Sequence, residues 1–212
     1  MSLNWFRALT LAAVVALAAP MALFAAAPTN PPKPQGFVSL AGQLLVASPS
    51  MSDPRFAHTV VLIVRHDRDG AFGIVINRPA AERPLALVLE AIGEKHMAVS
   101  GNVRIFIGGP VQPELAFVIH SPEYHEVGTI EINGRLAVTA SREVFRALAG
   151  AGATGPQKSL IAFGYAGWSA GQLEAELALN GWYTAPADIG MVFDEDRERL
   201  WERATERRTR DL

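Results

Sequence analysis

HTVVLIVRHDRDGAFGIVINRP, residues 58–79, decides the fold. β-Branched and aliphatic side chains fill both HTVVLIVRH (His58 to His66) and AFGIVINRP (Ala71 to Pro79), and the DRDG between them supplies Asp69-Gly70, a strong hairpin dipeptide. The reading is two antiparallel strands closed by a tight turn. His58 and His66 lie an even number of residues apart, hence on one face but about 26 Å from each other, too far to form one site. Each reads as a polar residue at a strand end.

Outward from this hairpin, GQLLVAS (Gly42 to Ser48) reads as a buried strand and SPSMSDPRF (Ser48 to Phe56) as a loop built on two prolines. After Pro84, Leu85, Val88, Leu89 and Ile92 recur at helical spacing and stop at Gly93. VRIFIGG, LAFVIHS, VGTIEING and RLAVTAS are short strands, with Asn133-Gly134 a second hairpin turn, so the middle of the chain is mainly antiparallel sheet. Ser141 opens a helix with Val144, Phe145 and Leu148 on one face, and KSLIAFGYA (Lys158 to Ala166) is apolar enough for a central strand. SAGQLEAELALNG carries an S-x-x-Q capping box, Ser169 with Gln172, and a stop at Gly181. From Asp194 acids and bases alternate, with Glu195 to Arg199 and Glu206 to Arg210 at i,i+4 spacing. This predicts a solvated terminal helix lying loosely on the domain through Phe193, Leu200, Trp201 and Ala204.

The chain has 212 residues, of which 50% are hydrophobic and 19% charged, enough to bury the core of one domain. A net charge of -2 leaves no surplus to neutralise a phosphate backbone, so nucleic acid is not an expected partner. The absence of cysteine removes disulfides, thiolate metal sites and nucleophilic thiols.

Residues 8–27 are apolar except for Thr10 and the breaker Pro20, and Arg7 is the only charge before them. As a helix the run reaches about 30 Å, enough for a bilayer and more than a signal peptide needs. Ala25-Ala26-Ala27 offers an A-x-A-like cleavage site, with Pro28 awkwardly placed after the cut. A cleaved signal peptide and a retained anchor helix over 1–27 both stay open. Either sends the folded part to the periplasmic side of the inner membrane. PTNPPKPQ, the Pro-rich linker over 28–35, favours an extended spacer of about 25 Å, and the domain occupies 36–212.

Local catalytic motifs fail on their surroundings. Gly150, Gly152 and Gly155 match G-x-G-x-x-G, but the order is helix then strand, the reverse of a dinucleotide site, and Pro156-Gln157 displaces Lys158 from a P-loop position. In HSPEYH, Pro122 prevents the helix that would align His120 and His125 as metal ligands. No G-x-S-x-G elbow occurs. No catalytic residue, cofactor or metal is assigned.

Taken in order, GQLLVASPSMSDPRF, GIVINRP, GGPVQPE, FVIHSP, GYAGW and GQLEAELALNGWYTAPAD resemble the successive blocks of the YqgE/AlgH family of bacterial proteins, from about Gly42 to Trp201. The resemblance implies an α/β (α+β) fold: a single compact domain with a mixed, largely antiparallel sheet and flanking helices. It carries no agreed catalytic residues, and the family's link to transcriptional control of exopolysaccharide genes is indirect. The chain departs from the family's pattern in its leader and in Ser48 and Ser50, where methionine and glycine are familiar.

Several of these blocks place loop residues that packing alone does not require. Asp53 and Arg55 flank a proline, Asn77-Arg78 sits at a strand exit, and Gly108-Gly109 leaves another strand with free backbone N–H groups. With Tyr165 and Trp168 as an aromatic wall and Ser169 at a helix N-terminus, they form a candidate pocket for a small anionic ligand. The structural alternative is that the glycines make tight turns, Arg55 pairs with Asp53 and the aromatics cover the core. The leading functional expectation is a non-catalytic binding or accessory protein of the cell envelope, tethered to the membrane by its N-terminal helix and associated with a protein partner in a membrane complex. The alternatives are a small-anion enzyme or sensor at Arg78, Gly109 and Trp168, and a cytoplasmic regulator linked to transcription.

Overall fold

A computed structural model describes residues 37–94, 99–150 and 154–209. The expected leader helix and linker fall outside the described residues, and Phe37–Leu212 forms one compact unit. Its elements in chain order are β1 (Gln43–Ala47), β2 (Val60–Asp67), β3 (Gly70–Val75), β4 (Pro79–Pro84), α1 (Leu85–Ala91), β5 (Asn102–Ile107), β6 (Val111–His120), β7 (Ile130–Ile132), β8 (Leu136–Thr139), α2 (Arg142–Leu148), β9 (Ser159–Ser169), α3 (Gln172–Ala178), β10 (Trp182–Pro186), α4 (Ile189–Val192) and α5 (Leu200–Glu206). Among the described residues no helix is long and apolar enough to cross a membrane.

The strands form one curled sheet in the order β10-β1-β2-β3-β9-β6-β8-β7, with β5 also on β9 and β4 outside β5. The described pairs are antiparallel except β5 with β9. β9 changes partners along its length. Residues 161–163 lie between β5 and β6, whereas 166–169 pair with β3. At the changeover Gly164 takes φ +75°, and a Cβ there would stand 2.4 Å from the Gly109 carbonyl oxygen. Side chains on Gly108 or Gly109 would come within 2.3 Å or 2.1 Å of β9 backbone. Two hydrogen bonds tie the crossing: Gly108 N–H to Phe163 O (2.7 Å) and Val75 N–H to Gly108 O (2.8 Å). Only glycine permits this contact.

Alternation along the strands feeds two faces of the sheet. Leu44, Leu62, Ile74 and Ile119 point to the concave core, closed by Met191 and Val192 of α4 and by Leu200 and Ala204 of α5. Leu45, Val61, Ile63 and Val75 point the other way, onto Trp168, Trp182 and Leu173 of α3. A third cluster joins Leu85 and Leu89 of α1 and Phe145 of α2 to Val118 and Ile161.

Five expectations are corrected. The first hairpin forms, but Asp67 pairs with Gly70, so Arg68 and Asp69 make the turn; glycine is needed at 70 because a Cβ would meet Trp168 O at 2.1 Å. His58 and His66 do not share a face: His58 (φ 57°) sits before β2 against Trp201, and the irregularity between Ile63 and Arg65 re-aims His66 towards Phe37. Ser169 ends β9 rather than capping a helix; α3 starts after Gly171 in a left-handed conformation. The terminal helix is not loose, since Leu200 and Ala204 are fully buried and the Trp201 indole donates to Ala47 O at 2.8 Å. Residues 194–199 precede α5 and are not helical, so the expected Glu195 to Arg199 pair does not form; Asp194 pairs with Arg203 and Asp188 with Arg207. The Glu206 to Arg210 pair falls outside the described residues.

The crossing makes a clean prediction. Gly164→Ala and Gly109→Ala are expected to lower unfolding free energy by about 3 kcal/mol or more, from backbone strain and overlap. Gly167→Ala, whose Cβ would meet only the Tyr165 ring at 3.4 Å, is expected to change it far less. Urea denaturation of the three variants measures the contrast.

Candidate functional site

The candidate residues divide into three groups, and each has a job within the fold. Around the 53–59 loop, Arg55 donates from its backbone N–H and guanidinium to Asp53, closing an ion pair at 2.7 Å. Those hydrogen bonds hold the Asp53 carboxyl below its ordinary value. Asn77 Oδ1 accepts from Val60 N–H (2.8 Å) while its Nδ2 donates to His58 O (2.9 Å). Arg78 Nη2 donates to the carbonyls of Pro54 (3.3 Å) and Ala57 (3.1 Å). Together these side chains staple an irregular loop whose backbone groups lack ladder partners.

The second group is the crossing of Gly108 and Gly109 with β9. Ile107 N–H donates to Arg78 O at 2.9 Å, so the first two groups adjoin along the backbone. The Gly108 amide and carbonyl are both taken, by Phe163 and Val75.

In the third group Tyr165 and Trp168 stand three residues apart on one strand and face opposite ways. Tyr165 packs with Phe72 (centroids 5.0 Å) and Phe117 (6.1 Å) in the concave core. Trp168 meets Trp182 (6.0 Å) on the other side, and both indole N–H groups donate to Glu176 Oε2, at 2.9 and 2.7 Å. The Ser169 hydroxyl and amide are both bonded to Gln172 Oε1, and Glu174 lies in the first turn of α3. Arg78, Gly109 and Trp168 are therefore not gathered on one ligand position. A shallow cavity of about 200 Å³ beside Trp182 takes in Asp53, Phe56 and Glu176.

The histidines of HSPEYH are separated as well. His120 is buried: its Nδ1–H donates to Ser121 O (2.9 Å), so Nε2 accepts from the Thr139 hydroxyl (2.9 Å). Burial pushes its pKa below the ordinary value. His125 is exposed and faces Glu131 at 3.2 Å. No cluster of His, Asp and Glu suited to a metal ion occurs among the described residues.

One feature was invisible in the sequence. Arg197, from the acid-base run after α4, is buried at 8% exposure. Its Nη1 donates to Val192 O (2.8 Å) and Ile76 O (3.4 Å), and its guanidinium lies 5.2 Å from the Phe106 ring centroid. Nε is buried with no partner among the described residues. Arg197 lines a cavity of about 330 Å³ between β5, the start of β9 and the 193–197 turn.

This α+β domain, with a curled antiparallel sheet crossing itself at glycines, matches known proteins over nearly its whole length. The AlgH-like family model covers residues 44–212. A UPF0301 protein of Cereibacter sphaeroides is 42% identical over 165 residues, 77% of this chain and 89% of the relative. Another, from Methylococcus capsulatus, is 40% identical over 167 residues, covering 79% and 88%. The solution structure of AlgH from Pseudomonas aeruginosa superposes with a TM-score of 0.70 at 44% identity, over 82% of this chain and 92% of that one. A crystal structure of a Corynebacterium diphtheriae protein shares the fold, with a TM-score of 0.60 at 23% identity over 80% and 87%. The chain belongs to the UPF0301, AlgH-like family.

These contacts set three expected outcomes. Glu176→Ala leaves two partly buried indole donors unpartnered and is expected to cost about 1–3 kcal/mol with a change in tryptophan emission, read by fluorescence-monitored unfolding. Asp53→Ala, at a largely solvated pair, should shift the unfolding curve much less than Glu176→Ala. For His120 the folded pKa is depressed, so below the unfolded value of about 6.5 the unfolded chain takes up a proton that the folded one refuses. Stability is expected to fall with pH below that point, by at most about 1.4 kcal/mol per unit, and His120→Gln should remove this component when unfolding is compared between mildly acidic and neutral buffers.

Proposed function

We propose that this chain is a non-catalytic binding or accessory protein of the cell envelope, its domain held on the periplasmic side by the N-terminal segment and associated with a membrane complex. The observation that carries the reading is how the polar loop side chains are used. Asp53, Arg55, Asn77, Arg78 and Ser169 spend their hydrogen bonds inside the fold, on one another or on loop backbone and neighbouring side chains. That use favours a stiff presenting surface over a set of groups kept free for chemistry. The apolar run of residues 8–27 and the Pro-rich spacer after it supply the address. Exposed Leu179 beside the Met51, Phe56 and Trp182 cavity offers an apolar contact surface on the α3 side.

Intact-mass measurement of membrane and periplasmic fractions, with protease added to spheroplasts, tests the address. A species beginning near Pro28 in the soluble fraction, or a full-length membrane species degraded from outside, is the expected result. Full-length protein protected inside spheroplasts would overturn it and favour a cytoplasmic regulator. Copurification in mild detergent tests the partner: a full-length chain migrating only as an isolated monomer counts against a membrane complex.

A further inference from the structure

We propose that the cavity between β5, the first residues of β9 and the 193–197 turn binds a small carboxylate monoanion, with Arg197 as its main ligand and Arg104 beside it. The inference is independent of where the domain resides.

Arg197 carries five N–H donors and a permanent charge. Among the described residues the fold engages only its Nη1, on the carbonyls of Val192 and Ile76. Nε has no partner, and none of the salt bridges among the described residues involves Arg197. Burial pushes its pKa down to about 10, which leaves it cationic at neutral pH. A buried charge with no carboxylate within salt-bridge distance is costly, so an arginine kept in this state is expected to have a use. Holding two carbonyls does not require a cation, because an amide side chain can donate to them as well. The Phe106 ring and the more distant carboxylates of Asp194 and Glu195 offset the charge only in part.

The cavity supplies the space. Its volume of about 330 Å³ is at the small end of ligand pockets. Phe106, Leu160 and Phe193 give it an apolar wall, and Ser159 adds a hydroxyl. Arg104 lines the same cavity and lies 3.8 Å from Glu82. Asp194 is already paired with Arg203. Arg104 is opposed by Glu82, and Glu195 faces Arg197 only from beyond salt-bridge distance, so the cavity is close to neutral overall and disfavours a dianion more than a monoanion seated on the Arg197 fork. A carboxylate matches the planar guanidinium fork, and a short apolar body matches the wall.

The test is titration of the purified full-length chain with butyrate and benzoate, with butyramide and inorganic phosphate as comparisons, followed by calorimetry and by the Arg197 Nε–H resonance. Saturable carboxylate binding that shifts this resonance is expected, with no binding of the amide and weaker binding of phosphate. Arg197→Gln, which can still donate to the two carbonyls, is expected to weaken binding by at least about tenfold. If that variant does not fold, two exposed substitutions keep the test sharp: Arg104→Gln should weaken binding and Glu195→Gln should strengthen it. An acetylated dipeptide against its C-terminal amide distinguishes a peptide carboxylate from a free acid, and preference for the acid form supports the site. Absence of saturable binding by both carboxylates overturns the proposal. Binding unaffected by Arg197→Gln, or by both exposed substitutions, does the same, and tighter binding of phosphate overturns the monoanion assignment.

Discussion

β9 passes so closely against Gly108 and Gly109 that no side chain fits between them, and the rest of the architecture depends on this approach. β9 must pair with β5 and β6 over one half and with β3 over the other. It can serve both only by bending at Gly164 while the strand end at 108–109 lies directly against it. The resulting curl gives the sheet a concave side. α4 and α5 fill that side with Met191, Val192, Leu200 and Ala204, while α3 covers the opposite face and α1 and α2 cover the half around β6.

Once the sheet is curled, side chains settle what the backbone leaves open. The 53–59 loop crosses without ladder partners, so Asn77 and Arg78 at the exit of β3 supply them. Two tryptophans brought together by β9 and β10 need an acceptor, and Glu176 on α3 serves both. Arg197 is the exception among these fully employed groups. It enters the interior because the 193–197 turn closes over β5, and it arrives with more donors than the fold uses.

Much of this was legible in the sequence, and what was not has identifiable causes. The β-branched runs and Asn133-Gly134 gave their strands and turn, because alternation and left-handed turn residues are local signals. β4 was missed because PAAERP carries two prolines and is almost wholly exposed, with no apolar alternation to read. The burial of α5 was missed because only Leu200 and Ala204 face inward and charges cover the rest. Loop polarity drew attention to Asn77 and Arg78, and both side chains bond backbone of the 53–60 segment. Ending the central strand at Ala166 hid the fact that Tyr165 and Trp168 share one strand and so oppose each other. Arg197 had no local signal at all, since its burial is created by strands distant in sequence.

Because β3, β5, β6 and β9 all meet at the glycine crossing, it is expected to be the last part of the domain to open. Native-state amide hydrogen exchange measures this directly at Val75 and Gly108, whose N–H groups form the crossing bonds, and at Ile107 beside them. The account predicts that all three exchange only through global unfolding, with the same free energy as denaturant unfolding. Exchange of these amides through a smaller opening, while the amides of β1 and β2 stay protected, would contradict it.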